Sequence, residues 1–450
     1  MAPNVIVLFS DQQRWDTTGV HGNPLDLTPN FDRMARAGAD VHYSFTSQPV
    51  CGPARSEMQT GRYGTATGCF KNSIPLPADA RTLAHHFRAA GYTTGYIGKW
   101  HLGSDEGPTI EPERGGYEYW LASNLLEFTS DAYQTRLFDN DNQPVDLPGY
   151  RVDALTDAVI RYIASPKDRP FYLFVSYLEP HHQNHRDDYP APDGYAERYA
   201  NRWMPADLAA LPSLGGSAQR HMAGYLGMVK RLDEALGRIL DALKSLHLLD
   251  STIVLYTCDH GNHFKTRNDE YKRSCHESSI RVPTAVIGPG FDGGGRIAQL
   301  VSLIDIPPTL LDAAGIAVPP AMQGRSFLPL VRKRDVAWPD DVFIQISETQ
   351  VGRAIRTRRW KYCVTAPGLD GNVHADSPRY VEESLYDLLA DPHELNNLAG
   401  GAAYAEAATV LRARLIKRMV EAGEAAPIIE PAPARRSFSQ LHISAQEARA

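Results

Sequence analysis

The sequence predicts an α/β protein, in which a large, mostly parallel sheet is flanked by helices and followed by a smaller α+β subdomain containing an antiparallel sheet. Continuous apolar runs are typical of strands buried on both faces of a parallel sheet. Four such runs occur at 5–10, 92–97, 171–177 and 252–257. Amphipathic segments between them, such as 218–246, predict the flanking helices. This alternation continues to about residue 335 and favours the α/β class.

The other elements of this region follow in chain order. Further helices are predicted at 28–38, 51–60, 82–90 and 152–164. Residues 103–150 are acidic and rich in turn formers, so we expect an excursion over the rim of a site. A strand is predicted at 282–288, and 300–314 begins as a strand and ends as a helix.

The pattern changes from residue 341. Three short segments predict an antiparallel meander, at 342–348, 352–358 and 361–365. A helix over about 402–422 follows. We therefore expect an α/β domain at 1–335, an α+β subdomain at 336–425 and a tail at 426–450. The tail is rich in Pro, Ala and Arg, and two states are open for it: disorder, or a crossing to a neighbouring subunit of a homo-oligomer.

Composition limits the class of function. Of the 450 residues, 43% are hydrophobic and 22% are charged, as in globular proteins, and the net charge of −7 gives no sign of a nucleic-acid partner. Five widely spaced cysteines argue against a disulfide framework or a zinc ribbon. No run is apolar enough to span a membrane, and no signal peptide is visible. A cytoplasmic location is the default expectation, and export of a processed form stays open.

One stretch, 51–62, combines a cysteine, a proline and two arginines. Pro53 suits the first turn of a helix, whose N–H groups would favour an anion beside Cys51. Arg55 adds a guanidinium that suits an oxyanion. A nucleophile aimed at a negatively charged group is one interpretation of this stretch. A buried thiol at a helix N-terminus is the other, and the stretch alone does not decide between them.

Polar side chains follow four predicted strands at their carboxyl ends, where ligands of open α/β sheets collect. They are Asp11 and Gln12, Lys99 and His101, His181, and Asp259 and His260. Two acidic strand ends suit one divalent cation, and the basic groups around them suit an anionic substrate with several oxygens. His182 and His185 lie close to His181 in the sequence, but the three histidines lack the helical spacing of metal ligands. We therefore expect one of them, His181, to belong to the reacting site and the other two to be its neighbours.

With these residues in view, the sequence resembles the sulfatases of the alkaline phosphatase superfamily. The family motif, Cys-x-Pro-x-Arg followed by Thr-Gly-Arg, is present as Cys51, Pro53, Arg55 and residues 60–62. Further matches occur in order along nearly the whole chain. They include Asp11, residues 98–101, Pro180-His181, residues 259–261, Glu277, residues 279–283, residues 323–326, residues 385–388 and residues 391–398. A single match of this kind is weak, but so many in order are specific.

The resemblance implies a modified nucleophile. In the family, a formylglycine-generating enzyme oxidises the motif cysteine before folding, so Cys51 is expected to act as the hydrate of 3-oxoalanine (formylglycine). One hydroxyl of such a hydrate, activated by a metal, attacks sulfur and forms a covalent sulfate ester. Loss of the proton from the other hydroxyl restores the carbonyl and expels sulfate. The implied activity is that of a sulfuric ester hydrolase.

The resemblance also implies roles for the other residues. The metal-binding positions are Asp11, Gln12, Asp259 and His260, completed by residue 51. The catalytic positions besides Cys51 are Arg55 on the hydrate, Lys99 on the sulfate oxygens, His101 as acceptor of the hydrate proton, and His181 and Lys272 on the leaving alcohol. Candidate substrate contacts are Asn72, His182 and Lys265, and Lys265 is the alternative to Lys272 if that loop is shifted.

The sequence departs from the commonest family pattern at two ligand positions. Many sulfatases have Asp where this chain has Gln12, and Asn where it has His260; the pairings here resemble a branch that includes choline sulfatases and phosphonate monoester hydrolases. Calcium is the expected metal. Imidazole is a softer ligand than an amide oxygen, so manganese and zinc are the alternatives.

Two rival functions stay open at this stage. One is a phosphonate monoester or phosphodiester hydrolase with the same nucleophile, and the other is a non-catalytic anion-binding protein with unconverted Cys51. The basic residues His185, Arg186, Lys265 and Arg267 hint at a sulfated saccharide as substrate, although solvated charges at the rim are an equal interpretation. Contacts to the leaving group are expected from 103–150, 183–190, 263–273, the meander near Arg353 and the tail.

Overall fold

The computed structural model describes residues 2–211, 217–435 and 441–449. Its strands are β1 (Asn4–Ser10), β2 (Ala39–Phe45), β3 (Thr93–Lys99), β4 (Tyr119–Ser123), β5 (Thr135–Phe138), β6 (Pro144–Leu147), β7 (Phe171–Ser176), β8 (Thr252–Cys258), β9 (Arg281–Val282), β10 (Ala285–Ile287), β11 (Gly295–Ser302), β12 (Asp341–Ile346), β13 (Gly352–Thr357), β14 (Trp360–Thr365), β15 (Arg379–Asp387) and β16 (Ile428–Glu430). Its α-helices are α1 (Pro29–Ala37), α2 (Cys51–Thr60), α3 (Gly64–Thr67), α4 (Leu83–Ala89), α5 (Leu126–Thr129), α6 (Arg151–Ala164), α7 (Tyr195–Tyr199), α8 (Ala206–Ala210), α9 (Ser217–Ser245), α10 (Glu277–Ile280), α11 (Ile306–Ala313), α12 (Leu328–Val331) and α13 (Ala405–Glu421).

The larger sheet is mixed and has a parallel centre. Its strand order is β11-β2-β10-β8-β1-β7-β3-β4-β5-β6, with β9 paired to β2. The five strands from β8 to β4 are all parallel to one another, whereas β10 and the β5–β6 hairpin run antiparallel to their neighbours. This architecture confirms the predicted fold class.

The central strands are buried on both faces, as their continuous apolar sequences predict. In β1, Val5 and Val7 pack into the cluster under α2, α4 and α11, while Ile6 and Leu8 pack into the cluster under α1, α6 and α9. The sheet is therefore covered by helices on both sides. Among the described residues, the helices are all too short or too polar to cross a membrane.

Two stretches of the large sheet differ from the predictions. Residues 103–150 contribute β4, β5 and β6 to its edge; the short β5 alternates buried and exposed side chains, and such a pattern is hard to recognise in a turn-rich sequence. The strand predicted at 282–288 is divided into β9 and β10, because Pro283 lacks the N–H that a continuous strand would donate.

The smaller sheet has the order β12-β13-β14-β15-β16 and packs against α13. Its first three strands form the predicted antiparallel meander, and β15, which was not predicted, pairs antiparallel to β14 as a fourth strand. β16, from the segment predicted as a tail, pairs in parallel with β15, and Ile429 and Ile443 join the core of this subdomain. Apolar side chains thus hold the described part of this segment on its own chain.

Candidate active site

Four strands and one helix meet at one edge of the large sheet. The parallel strands β1, β3, β7 and β8 end there, at Ser10, Lys99, Ser176 and Cys258. Helix α2 begins at Cys51, and the Cys51 Sγ lies 3.3 Å from Nε2 of His260, directly beyond β8. The predicted convergence of strand ends on Cys51 is therefore present in the structure.

The Cys51 side chain is only 1% exposed and is surrounded by charge. Its Sγ lies 2.8 Å from Lys272 Nζ and 3.7 Å from Asp11 Oδ1. Burial and the Asp11 carboxylate oppose ionisation of the thiol, but Lys272 and Lys99 outweigh them and lower the pKa of Cys51 to about 7. This environment stabilises negative charge on an atom of residue 51.

Backbone contacts fix the helix that presents Cys51. Val50 precedes the helix in an extended conformation without a side-chain cap, and Asn72 Oδ1 accepts a hydrogen bond from the Gly52 N–H at 2.9 Å instead. At the other end, Gly61 adopts φ +67° and its N–H donates to the Glu57 carbonyl. Asn72, a predicted substrate contact, thus also holds the first turn of α2.

Asp11, Cys51, Asp259 and His260 place one ligand atom each within 4.8 Å of the others, and all four are buried. The Arg55 guanidinium lies behind them, with its Nη2 2.9 Å from Asp11 Oδ2 and 3.2 Å from Asp259 Oδ2. A single guanidinium therefore spans two carboxylates while their other oxygens face the cluster.

This donor set fits a divalent cation. Burial and the charge of Asp11 raise the pKa of Asp259 to about 6, a repulsion that a cation would relieve. Burial lowers the pKa of His260 to about 4, although Asp259 opposes this shift, so its imidazole is neutral and able to ligate at pH 7. Carboxylate oxygens with one imidazole are suitable ligands for such an ion.

Gln12, the other predicted ligand, lies beside this set. Its backbone N–H donates to Asp259 Oδ1 at 3.0 Å, and its φ is +70°. Its side-chain amide donates to the Tyr189 hydroxyl at 3.3 Å and accepts from the His182 N–H at 3.4 Å. The Gln12 carboxamide is thus positioned by contacts outside the four-residue cluster.

Lys99 is fully buried between two acids. Its Nζ lies 2.9 Å from Asp11 Oδ2 and 2.9 Å from Glu127 Oε1. Burial would raise the pKa of Glu127, but Lys99 outweighs it and lowers this pKa to about 2. Glu127 was not predicted as a site residue, because it lies in a short helix after β4 and belongs to no motif.

His101 follows Lys99 in a left-handed backbone conformation, with φ +58°. Its N–H donates to the Asn124 carbonyl at 2.8 Å, and among the described residues its buried Nδ1 has no hydrogen-bond partner. Burial, helped by Lys99, lowers the pKa of His101 to about 3. The imidazole is therefore neutral and has a lone pair available at the site.

His181 and Lys272 contact each other beside Cys51. Lys272 Nζ lies 3.3 Å from His181 Nε2, and His181 Nδ1 lies 2.5 Å from the His182 carbonyl. Since a carbonyl only accepts, we assign the ring proton to Nδ1, which leaves Nε2 to accept from Lys272. Lys272, and not Lys265, is the lysine nearest to Cys51 Sγ.

A cavity of about 410 Å³ opens above these residues. The predicted residues Gln12, Cys51, Asn72, His101, His181, His182, Lys265 and Lys272 all line it. The His182 ring stacks on Tyr271 at 4.5 Å, and its Nε2 lies 3.0 Å from Asp187 Oδ1. Lys265 Nζ lies 4.7 Å from the centre of the Tyr271 ring. Asp187 and Tyr271 were not predicted individually, but they lie in 183–190 and 263–273, two of the segments from which leaving-group contacts are expected.

Two of the arginines expected near the substrate, Arg353 and Arg267, do not line this cavity. Arg353 is buried and pairs with Glu424 at 2.8 Å, so it cannot supply the predicted leaving-group contact. Arg267 donates to the carbonyls of His393 and Glu394 and has a structural role. Of the four basic residues suspected of substrate contact, only Lys265 lines the catalytic cavity.

Comparisons with known proteins agree with this geometry. A family model described as sulfatase matches residues 3–316, and a model described as the C-terminal region of N-sulphoglucosamine sulphohydrolase matches residues 269–421. An ulvan-active sulfatase from Formosa agariphila is 29% identical over 94% of this chain and 82% of its own. An N-acetylglucosamine-6-O-sulfatase from Bacteroides thetaiotaomicron is 25% identical over 90% and 84%.

Solved structures share the fold. One, in complex with its substrate D-glucosamine-2-N,6-O-disulfate, has a TM-score of 0.78 at 23% identity and covers 95% of this chain and 99% of its own. A phosphonate monoester hydrolase from Agrobacterium radiobacter has a TM-score of 0.70 at 22% identity, with coverages of 93% and 96%.

The fold and the site define a hydrolase of the alkaline-phosphatase-like superfamily. Within that superfamily, the chain belongs to the sulfatase family, whose members are sulfuric ester hydrolases. Membership implies a formylglycine at residue 51 and a divalent metal, and the cluster at Asp11, Asp259 and His260 fits such a metal.

Proposed function

We propose that this sulfatase removes a sulfate group from a sulfated saccharide, with Cys51 converted to formylglycine and Ca²⁺ as its metal. The observation that carries the proposal is the position of residue 51. Its side-chain atom is within reach of both the carboxylate and imidazole cluster and the Lys272 ammonium group. A nucleophilic oxygen at this position would therefore contact both a cation site and a proton donor.

The metal would be held by Asp11, Asp259, His260 and residue 51, with Gln12 beside them. It would supply positive charge that polarises a sulfate oxygen and favours an ionised hydroxyl at residue 51. The predominance of oxygen donors supports calcium. The His260 imidazole makes manganese and zinc the alternatives.

Basic side chains around residue 51 would stabilise the substrate anion. Arg55 is held by both carboxylates, and its Nη1 also donates to Ser176 Oγ at 2.6 Å, so its orientation is fixed. Lys99 is fixed in the same way by Glu127. We infer that Arg55 orients the modified residue 51 and that Lys99 neutralises sulfate oxygens, because buried charges held in advance need little reorganisation.

Proton transfer would use the neutral imidazoles and the ammonium group. Within the described part of the chain, one ring nitrogen of His101 has no hydrogen-bond partner, and we assign His101 as the acceptor of a proton from residue 51. Lys272 and His181 form a hydrogen-bonded pair and are assigned to the oxygen of the leaving alcohol. The leaving alcohol would then depart as a neutral hydroxyl group.

The polar lining of the cavity supports the proposal that the leaving group is a saccharide. Asn72, His182 and Lys265 offer an amide, an imidazole and an ammonium group along its wall, which suits a ligand with several hydroxyl groups. The two curated relatives described above are named for ulvan and for N-acetylglucosamine sulfate, both saccharides. The His182 contact with Asp187 would position this imidazole for a sugar hydroxyl.

A turnover comparison tests the proposed activity. Protein produced together with a formylglycine-generating enzyme is assayed on 4-nitrophenyl sulfate and on a 4-nitrophenyl phosphonate monoester, and the peptide containing residue 51 is weighed by mass spectrometry. We expect the aldehyde mass at residue 51 and a higher kcat/KM for the sulfate. Preference for the phosphonate would favour the alternative hydrolase, and an unmodified thiol in natively produced, inactive protein would favour a binding protein.

A desulfation screen tests the substrate class, and elemental analysis tests the metal. Sulfated saccharides, aryl sulfates and choline sulfate are offered to the converted enzyme, and we expect saccharides to have the highest kcat/KM. Activity on aryl or alkyl sulfates alone would contradict the saccharide assignment. Calcium at about one ion per chain is the expected elemental result, and stoichiometric manganese or zinc would replace that assignment.

A further inference from the structure

A second cavity adjoins the catalytic one, and we propose that it binds the sugar unit next to the sulfated one, so that the substrate is an oligosaccharide or polysaccharide. This inference rests on the proposed saccharide sulfatase function. The second cavity measures about 680 Å³ and is lined mainly by the end of α5, the segment that connects it to β5, and the β5–β6 hairpin. Cys51 does not line it, so it would bind substrate without taking part in the chemistry.

The two cavities share Phe128 as a lining residue. The consecutive residues Asn184 and His185 line the catalytic and the second cavity respectively. A chain of sugars whose sulfate reaches Cys51 would therefore have its next unit directed past Phe128. At about 410 Å³, the catalytic cavity is of a size that suits one small ligand, and the second adds room for further units.

Two exposed aromatic rings line the second cavity. Phe128 is 56% exposed and Tyr133 is 47% exposed, so both rings are accessible to a ligand. The Tyr133 ring packs edge-on against Tyr150 at 5.4 Å, and its hydroxyl accepts from the Asp193 N–H at 3.1 Å. Tyr133 is thus already fixed, and the weakly positive C–H face of a sugar ring can pack on its π-face.

The polar lining suits a saccharide with hydroxyl and anionic groups. Arg136 pairs with Asp146 at 2.7 Å in an exposed position, and Asp131 contacts both Arg186 and His185. Such solvent-accessible pairs contribute little to stability, and they leave guanidinium and carboxylate edges free to bind hydroxyl groups. Both signs of charge are present, so the cavity does not favour a strongly basic or a nucleic-acid ligand.

The fold fixes the distance between this cavity and the nucleophile. Helix α5 carries Glu127, which binds Lys99 in the catalytic site, and the next residue, Phe128, is at the boundary of the two cavities. A shift of α5 would therefore break the Lys99 contact. The same helix therefore positions both the catalytic lysine and the Phe128 side of the second cavity.

A chain-length series tests the proposal. The converted enzyme is assayed on mono-, di-, tetra- and hexasaccharide fractions from ulvan and from heparan sulfate, with 4-nitrophenyl sulfate as a substrate that lacks sugars. We compare wild type with Tyr133→Ala, with Tyr133→Phe, which keeps the ring, and with Tyr119→Ala. Tyr119 is the matched control, because it is 36% exposed and lines neither cavity. Thermal unfolding verifies that each variant is folded.

We expect kcat/KM of wild type to rise from monosaccharide to longer chains in at least one series. Tyr133→Ala should remove this rise, lowering kcat/KM for the longer chains by about 3- to 10-fold through KM, while turnover of 4-nitrophenyl sulfate stays at the wild-type value. Tyr133→Phe and Tyr119→Ala should keep the rise.

Three outcomes would overturn the inference: equal kcat/KM for mono- and hexasaccharide, an unchanged length dependence in Tyr133→Ala, or turnover of 4-nitrophenyl sulfate without turnover of any oligosaccharide. Each of these leaves the sulfatase activity itself intact. Inactivity of converted enzyme on every substrate, including 4-nitrophenyl sulfate, would instead refute the proposed function together with this inference.

Discussion

Lys272 is the residue whose chemistry is most directly testable, because its ammonium group contacts both Cys51 Sγ and His181 Nε2. A donor to the leaving oxygen matters most when that oxygen is strongly basic. Lys272→Met should therefore lower kcat for a sulfated sugar by about 10²- to 10⁴-fold, and lower it much less for 4-nitrophenyl sulfate. Steady-state kinetics on leaving groups of graded pKa measure this difference.

The control for this experiment is Lys417→Met, which removes an exposed lysine of α13 and should leave both rates unchanged. An equal loss on good and poor leaving groups would contradict a role of Lys272 in leaving-group protonation. In that case its contact with residue 51 would act on the nucleophile instead.

The buried Glu57 carboxyl group should make the stability of the folded protein depend on pH. Burial raises its pKa to about 8, although hydrogen bonds from Ser47 and the Gly64 N–H oppose this shift. The folded protein therefore keeps this proton up to about pH 8, whereas the unfolded chain releases it near 4.5. The resulting stabilisation is complete below pH 4.5 and is lost as the pH rises to about 8.

We expect the free energy of unfolding of wild type, relative to Glu57→Gln, to decrease between pH 5 and 8 by up to about 1.4 kcal/mol per pH unit. Urea denaturation at a series of pH values measures the difference. Exposed Glu197 provides the control, since Glu197→Gln should give a profile parallel to that of wild type. A parallel profile for Glu57→Gln would show that Glu57 is ionised in the folded protein.

At the scale of elements, the end of β3 depends on a glycine. Gly98 adopts φ +109°, and a Cβ at this position would lie 2.0 Å from the carbonyl oxygen of Ser176 on β7. Ser176 in turn holds Arg55. Gly98→Ala should therefore separate β3 from β7, destabilise the fold by about 3 kcal/mol and lower kcat as well.

Gly91 is the matched control, because it also has a positive φ of +88° but has open space around its Cβ position. Gly91→Ala should cost about 1 kcal/mol from backbone strain alone and leave kcat unchanged. Thermal unfolding and kinetics distinguish the two variants. Equal destabilisation by both substitutions would show that β3 and β7 can move apart to accommodate the added Cβ without a loss in the free energy of unfolding.

The elements that the sequence predicted well are those whose hydrophobic pattern does not depend on distant partners. β1, β7 and β8 are continuous apolar runs that form strands as predicted, and Asp11, His181 and Asp259 lie beyond their carboxyl ends. The β5–β6 hairpin was missed because such short strands are stable only against β4. Glu127 was missed for a related reason. The contact of its side chain with Lys99 depends on the position of α5 in the fold, which the local sequence does not specify.

At the scale of the whole molecule, a buried ionic group joins the small sheet to α10, the helix that precedes β9 of the large sheet. Lys361 on β14 is fully buried, and its Nζ lies 2.8 Å from Glu277 Oε1 of α10 and 2.5 Å from Glu394 Oε1. Lys361→Met would leave two buried carboxylates without this partner. We expect a loss of about 3–5 kcal/mol in the free energy of unfolding, measured by chemical denaturation.

Arg379→Met provides the comparison for this variant. Arg379 pairs with Glu430 on the same small sheet, but both side chains are exposed, so its loss should cost less than about 1 kcal/mol. A similarly small effect of Lys361→Met would mean that the apolar contacts of the two sheets, and not this ionic group, hold them together.

The burial of helix α2 has a consequence for how active protein is made. All ten of its residues are buried, with Cys51 only 1% accessible, so a second enzyme could not reach the thiol once the sheets have closed over it. Conversion of Cys51 must then compete in time with folding. Fast synthesis should therefore yield two folded populations that do not interconvert, one with converted and one with unconverted Cys51. The active fraction should then measure how often conversion precedes folding.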